Sequence, residues 1–246
     1  MPFPADWYEV NRPDHYWFRW RFRAAMALVR RHGMDTTAPL RVLEVGCGTG
    51  VLRAQFEGET GWTVDGADLN LAALERAPQG RGELYYYDAM EQHPTLLGAY
   101  DVVILFDVLE HIDAPIPFLR ACTQHLKDAG LLLVNVPALP SAHGSYDRAV
   151  GHLRRYTKQA LRDELRAARL EPVRLRYWGL SLIPLAFARK LLLAGRQEHP
   201  DVVRRGMNPP FPWMASVLSA VARIETSLFE SPPIGTSLLA VGRRSS

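Results

Sequence analysis

The chain has 246 residues and a hydrophobic fraction of 48%, which is too apolar for a disordered polymer and long enough to bury the core of one α/β domain with an elaboration. Net charge is only +3, yet residues 35–115 hold fourteen carboxylates against four arginines and no lysine, so this stretch is net −10 and the remainder net +13. Two cysteines, Cys47 and Cys122, exclude a disulfide framework and suit a reducing, cytoplasmic compartment. The segment Met1–Val10 has no basic region followed by an apolar run, and no stretch offers 18 uninterrupted apolar residues, so neither a signal peptide nor a spanning helix is expected. The charge asymmetry has two readings: solubility alone, or a C-terminal half that meets an anionic substrate or lipid surface. Nucleic acid is disfavoured, because the cations are not interleaved with a recognisable binding module.

Residues 6–32 read as an aromatic-rich helical lead-in, dense in rings and guanidinium groups from His15 to Phe22 and stopped at Gly33. A βα alternation follows. Strands are expected at Leu40–Val45, Trp62–Ala67, Glu83–Tyr87, Asp101–Phe106 and Gly130–Val136, with helices at Gly50–Phe56, Leu69–Arg76 and Pro115–Lys127. The fourth strand is continuously apolar, as a strand buried on both faces should be. Residues 137–156 form a polar, cationic loop, and Thr157 caps a helix with Leu161, Leu165 and Ala168 on its apolar face. Pro172–Trp178 and Gly235–Gly242 complete seven strands. The expectation is a Rossmann-like α/β fold: a seven-stranded, mostly parallel sheet with helices on both faces and a helical insertion before the last strand. The segments are an N-terminal lid (1–35), a core (36–178), an insertion (179–234) and the last strand (235–246).

Glycines 46, 48 and 50 follow the first strand in Val42-Leu43-Glu44-Val45-Gly46-Cys47-Gly48-Thr49-Gly50. They let the backbone turn sharply and approach a ligand, next to the open N–H groups of a helix start. A nicotinamide-binding fingerprint needs G-x-G-x-x-G, and here the position three after Gly48 is Val51. The G-x-G-x-G spacing preceded by Glu44 resembles motif I of class I S-adenosylmethionine-dependent methyltransferases. Asp68 ends the second strand, where a carboxylate can accept ribose hydroxyls. The fourth strand ends in Phe106-Asp107-Val108-Leu109-Glu110-His111, which resembles the V-L-E-H stretch of the ubiquinone-biosynthetic O-methyltransferases. That resemblance implies S-adenosylmethionine as cofactor, with Asp88 in Tyr87-Asp88-Ala89 on the adenine amine and the backbone around Phe106 on the methionine part. The expected cofactor residues are Arg19, Glu44, Gly46, Cys47, Gly48, Gly50, Asp68, Leu69, Asp88, Ala89, Phe106 and Asp107. Arg19 takes the place of an N-terminal arginine that reaches the cofactor carboxylate in these relatives, with Arg21 and Arg23 as rivals.

Methyl transfer asks mainly for positioning and exclusion of water, with a base where the acceptor carries a proton. His152 is the first candidate base and His111 the second. His143, Tyr146, Arg154, Arg155 and Tyr156 are expected to bind the acceptor, because their loop follows the fifth strand; alternatively Arg154 and Arg155 pair with acids and Tyr156 anchors the loop. No metal is expected. Apolar stretches at Leu180–Ala194 and Trp213–Phe229, interrupted by Pro184 and separated by a charged linker (Arg196–Pro212), leave three readings open: a cap on the acceptor site, a homodimer interface, or a peripheral membrane element. The cap and the membrane readings favour a small, hydrophobic acceptor, with an acidic head as a further option. Oxygen is the acceptor atom that the resemblance implies; nitrogen or carbon transfer and a non-catalytic cofactor-binding protein are the alternatives. Asn208-Pro209-Pro210-Phe211 looks like a nucleic-acid methyltransferase motif but lies far past the fourth strand, and reads as a turn.

Overall fold

The computed structural model describes residues 12–194, 202–207 and 211–244. One seven-stranded sheet runs in the order β3-β2-β1-β4-β5-β7-β6. Its strands are β1 (Arg41–Val45), β2 (Thr63–Asp68), β3 (Leu84–Tyr86), β4 (Tyr100–Phe106), β5 (Leu126–Pro137), β6 (Leu170–Trp178) and β7 (Ser237–Arg244). β1 to β5 pair in parallel, while β7 lies antiparallel between β5 and β6. The carboxyl ends of β1, β2 and β4 therefore open on one edge, beside the reversal of strand order where α/β sheets bind ligands.

Each face of the sheet carries its own core. On one side α1 (Tyr16–His32), α2 (Val51–Glu59) and a later helix, α9 (Pro212–Leu228), supply Trp20, Leu28, Leu52, Phe56, Leu218 and Ala222. On the other, α4 (Pro115–Gln124) and α6 (Lys158–Ala167) supply Leu119, Cys122, Leu161 and Leu165. β4 is buried along almost its whole length between the two layers, which is why its sequence is uniformly apolar rather than alternating. Gly33 closes α1 in the left-handed conformation, its N–H reaching Arg30 and Val29 carbonyls.

Several expected elements shift. The helix expected at Leu69–Arg76 shrinks to α3 (Leu71–Leu74), capped by the Asn70 side chain and stopped ahead of Pro78. α4 ends at Gln124, and β5 begins at Leu126, four residues before the expected Gly130. Pro184 does not interrupt its helix: it sits in the first turn of α7 (Ile183–Leu192), where a missing N–H costs nothing. The loop at 137–156 contains a short helix, α5 (Ser145–Ala149), and the expected linker contains another, α8 (Val202–Met207). Residues 6–11 of the lead-in, most of the rest of that linker, and Asn208–Pro210 of the expected turn lie outside the described residues. Among the described residues no helix is long and apolar enough to cross a membrane.

Candidate active site

A cavity of about 750 Å³ opens at the carboxyl ends of β1, β2 and β4, walled also by the inner face of α1 and the start of α2. The turn after β1 forms its floor. Gly46 holds φ at 77°, and a Cβ there would meet Val108 Cγ2 at 2.5 Å, so only glycine fits. The Gly46 and Cys47 amides both donate to the Ala67 carbonyl, and the Gly48 amide donates to Asp68 Oδ2 at 2.7 Å. Asp68 is thereby fixed at the cavity wall, its other oxygen accepting from the Asn70 amide. Each carboxylate oxygen retains a lone pair for a ligand hydroxyl. Asp88 faces the same cavity while capping the turn at Ala89–Glu91 through the Met90 amide.

Glu44 is buried beneath this turn. Burial pushes its carboxyl up to about 8, with Arg21 opposing and the nearby Asp68 charge adding to the shift. Its Oε2 has no hydrogen-bond partner among the described residues. Cys47 lines the cavity with its thiol pushed well up by burial, which makes it an inert wall rather than a nucleophile. Leu69, Ala89 and Phe106 line the cavity too, whereas Gly50 sits behind the wall as the left-handed N-cap of α2.

Arg19 is exposed and does not line the cavity; Arg21, two residues on and on the buried side of α1, does. The Arg21 guanidinium lies 2.5 Å from Asp107 Oδ2 and packs against the rings of Trp17, Phe18 and Phe106. Asp107 adopts φ 59°, a conformation rare outside glycine, directly after β4. Its other oxygen accepts from Asn135 Nδ2, and Asn135 Oδ1 accepts from Trp178 Nε1. A relay of buried polar groups thus runs from α1 across β4 and β5 to β6.

The histidines divide differently from the expectation. His111 lines the cavity with Val108, Ile112 and Phe118. Its Nδ1 lies 3.0 Å from the Gly151 carbonyl. A carbonyl only accepts, so Nδ1 carries the proton and Nε2 the lone pair. Burial, helped by nearby His152, lowers its pKa to about 4, so the ring is neutral at physiological pH. His152 does not line the cavity. Its Nδ1 lies 3.0 Å from Asp147 Oδ1, and its Nε2 faces Glu110 at 3.7 Å. Asp147 Oδ1 also accepts from Arg155 Nε at 2.7 Å, and Arg155 donates to the Ala138 carbonyl. Burial works against ionisation of Asp147, but His152 and Arg155 outweigh it and hold the carboxyl well below its ordinary value. His143 bonds the His152 carbonyl, Tyr146 is buried under the Arg189 guanidinium, Arg154 reaches the Asp113 carbonyl, and Tyr156 donates to the Leu109 carbonyl. None of the five residues expected to bind the acceptor lines this cavity; His143, Arg154, Arg155 and Tyr156 instead hydrogen-bond to carbonyls and to Asp147.

The methyltransferase-domain family profile matches residues 17–175. This chain belongs to that family. Ubiquinone biosynthesis O-methyltransferases from Escherichia fergusonii and Escherichia coli are 38% identical over 96 residues, 37% of this chain. The chain matches only 40% of the length of those relatives. Among solved structures, a phosphoethanolamine N-methyltransferase from Haemonchus contortus, in complex with S-adenosyl-L-methionine, aligns at a TM-score of 0.57 with 18% identity, covering 91% of this chain and 52% of that one. A S-adenosylmethionine-dependent methyltransferase from Archaeoglobus fulgidus aligns at 0.53 with 16% identity over 93% of this chain and 99% of that one. The [4+2]-cyclase SpnF aligns at 0.59 with 18% identity, covering 90% and 79%. These three share the fold.

The cavity fits S-adenosylmethionine: Asp68 and Asp88 offer acceptors for hydroxyl and amine donors, the cradle at Gly46 leaves no room for a side chain, and Glu44 Oε2 has no hydrogen-bond partner among the described residues below. Sequence reasoning ranked Arg19 above Arg21; the burial of alternate faces of α1 was the signal that separates them. It missed Asn135, and it read Glu110 only as part of the V-L-E-H stretch, without a role of its own. Glu110 is fully buried, both its oxygens lack hydrogen-bond partners among the described residues, and burial beside Asp107 raises its pKa well above the ordinary value. Glu110, His111 and His152 each bring one ligand atom within 4.8 Å of the others, a set that could hold a divalent cation where none was expected.

Proposed function

We propose that this methyltransferase alkylates the oxygen of a small hydrophobic phenol or enol, with His111 as general base. The observation that carries this is the position of His111 on the cavity wall with Nδ1 held by the Gly151 carbonyl, which puts the basic lone pair on Nε2. A base whose conjugate acid has a pKa near 4 is always neutral at pH 7 but draws a proton weakly. It suits an aromatic hydroxyl, ordinarily near pKa 10, better than an aliphatic alcohol. The match to ubiquinone biosynthesis O-methyltransferases supports oxygen as the acceptor atom. An acidic head on the acceptor loses its support, because Arg155 is paired with Asp147 and Arg154 with a backbone carbonyl.

When bound, the cofactor supplies an electrophilic methyl on a positively charged sulfur. Asp68 would hold the ribose hydroxyls, Asp88 the adenine amine, and Arg21 the carboxylate end, exchanging part of its pairing with Asp107. Phe118 and Ile112 exclude water from the acceptor side, and His111 Nε2 receives the proton released as the oxygen–methyl bond forms. The test is S-adenosylhomocysteine formation with alkylated phenols and catechols, alongside amines and fatty acids. Turnover of the phenols, reduced about 10²–10⁴-fold in His111→Ala with cofactor affinity intact, is expected. Turnover of amines alone, or an undiminished rate in the variant, overturns the reading.

A further inference from the structure

Helix α9 carries an apolar stripe on its outside as well as an apolar inside. Trp213, Val217, Ile224 and Leu228 fall at i, i+4, i+11 and i+15, on one face, and are 63%, 49%, 57% and 71% exposed. Phe211, just ahead of the helix, stacks on Trp213. The opposite side, with Leu218 and Ala222, is packed into the core against α1. Soluble helices show water a polar face, and on this one the exposed polar residues Ser216, Arg223 and Ser227 are confined to one edge of the apolar stripe.

The neighbouring surface is cationic. Arg19, Arg23 and Arg30 line the outer side of α1 at i, i+4 and i+11. Arg223 of α9 joins them: Arg23 is partly buried, and the charges of Arg19 and Arg223 are close enough to depress its pKa further. Among the described residues no carboxylate pairs with them. α1 contains none, and the single acid of α9, Glu225, is buried, accepting from the amides of Gly179, Leu180 and Ser181 and from the Ser181 hydroxyl.

We infer that the outer faces of α1 and α9 dock on an anionic lipid surface, the apolar stripe entering the headgroup boundary and the arginines meeting lipid phosphates. Apolar side chains with a tryptophan beside unpaired guanidinium groups match both layers of such a boundary. A second copy of the chain is a poor occupant, because a two-fold interface sets each patch against itself and would bring arginine onto arginine. This surface is distinct from the cavity, although α1 serves both: Phe18 and Arg21 face the cavity from the side opposite Arg19. The inference does not depend on which acceptor is methylated.

The test is co-sedimentation of the full chain with vesicles of phosphatidylcholine alone and of phosphatidylcholine mixed with phosphatidylglycerol. Binding to the mixed vesicles, about tenfold or more tighter than to the neutral ones and weakened by salt, is expected. The combined Arg23→Gln, Arg30→Gln, Arg223→Gln variant should lose that preference. Ile224→Ser with Leu228→Ser should weaken binding to the mixed vesicles about tenfold while leaving cofactor affinity and the thermal midpoint in place. Equal partition of the wild-type protein between the two vesicle types overturns the inference, as does wild-type binding by a folded arginine variant. A dimer in light scattering that Ile224→Ser with Leu228→Ser converts to monomer also overturns it, by assigning the face to a second copy.

Discussion

Two loop regions border the reaction edge of the sheet, and they use polar side chains in opposite ways. The turns after β1, β2, β3 and β4 are poor in histidine and arginine, yet Asp68, Asp88 and His111, joined by Arg21 of α1, all present groups to the cavity. The loop after β5 is rich in those residues, yet His152, Arg155 and Tyr156 bond to Asp147 and to backbone carbonyls. Density of reactive side chains in a sequence therefore measures capacity for bonding, not availability. A buried loop must satisfy its own donors and acceptors, and this one uses its chemistry to do so.

The largest expected effect breaks the second region. Asp147→Ala leaves Arg155, 3% exposed, without its carboxylate, and should lower the unfolding free energy by about 3–5 kcal/mol in urea titrations. If cofactor affinity fell instead while stability held, the contrast between the two regions would reverse. Gly46→Ala strikes the first region. A left-handed φ and the contact with Val108 should together cost about 1–3 kcal/mol and weaken S-adenosylmethionine binding by about tenfold or more in calorimetry. Asp68→Ala should weaken the same binding by about 1–3 kcal/mol, a charged hydrogen bond's range, with little change in the melting midpoint.

The smallest effects sharpen the comparison through pH. With its pKa raised to about 8, Glu44 retains a proton in the folded state that the unfolded chain releases near 4.5. Its contribution is thus fully present below pH 4.5 and is lost as pH rises to 8. Glu44→Gln, which keeps the uncharged form at every pH, should flatten that decline, read as urea midpoints across the window. His111 has the opposite sign. Its pKa falls from 6.5 to about 4, so the folded state resists protonation and stability drops on acidification across that window. His111→Gln should remove this dependence.

The parallel core was legible because each strand from β1 to β5 ends where its apolar run ends, and because Glu44, Gly46, Asp68 and Asp88 sit at strand ends. The cavity wall followed from that topology. What stayed hidden was set by tertiary partners. Nothing local distinguishes a histidine held by Asp147 from one held by a backbone carbonyl forty residues away. The left-handed Asp107 carries no composition signal, since its conformation is imposed by Arg21 and Asn135. Pro184 was misread because a proline looks the same at a helix start as at a break until the preceding turn is known.

The placement of β7 bears on how the protein is made. β5 and β6 do not pair with each other; on that side each pairs with β7, through residues such as Leu132 with Gly242 and Leu175 with Ala240. While the ribosome is still short of residues 237–244, both strands have bare edges, and one of them is the wall that Asn135 anchors. Closing the sheet requires contacts more than a hundred residues apart in the chain, an arrangement that folds late and leaves sticky edges waiting. Until β7 pairs between two strands made long before it, the nascent chain carries two unpaired edges on which another chain can add.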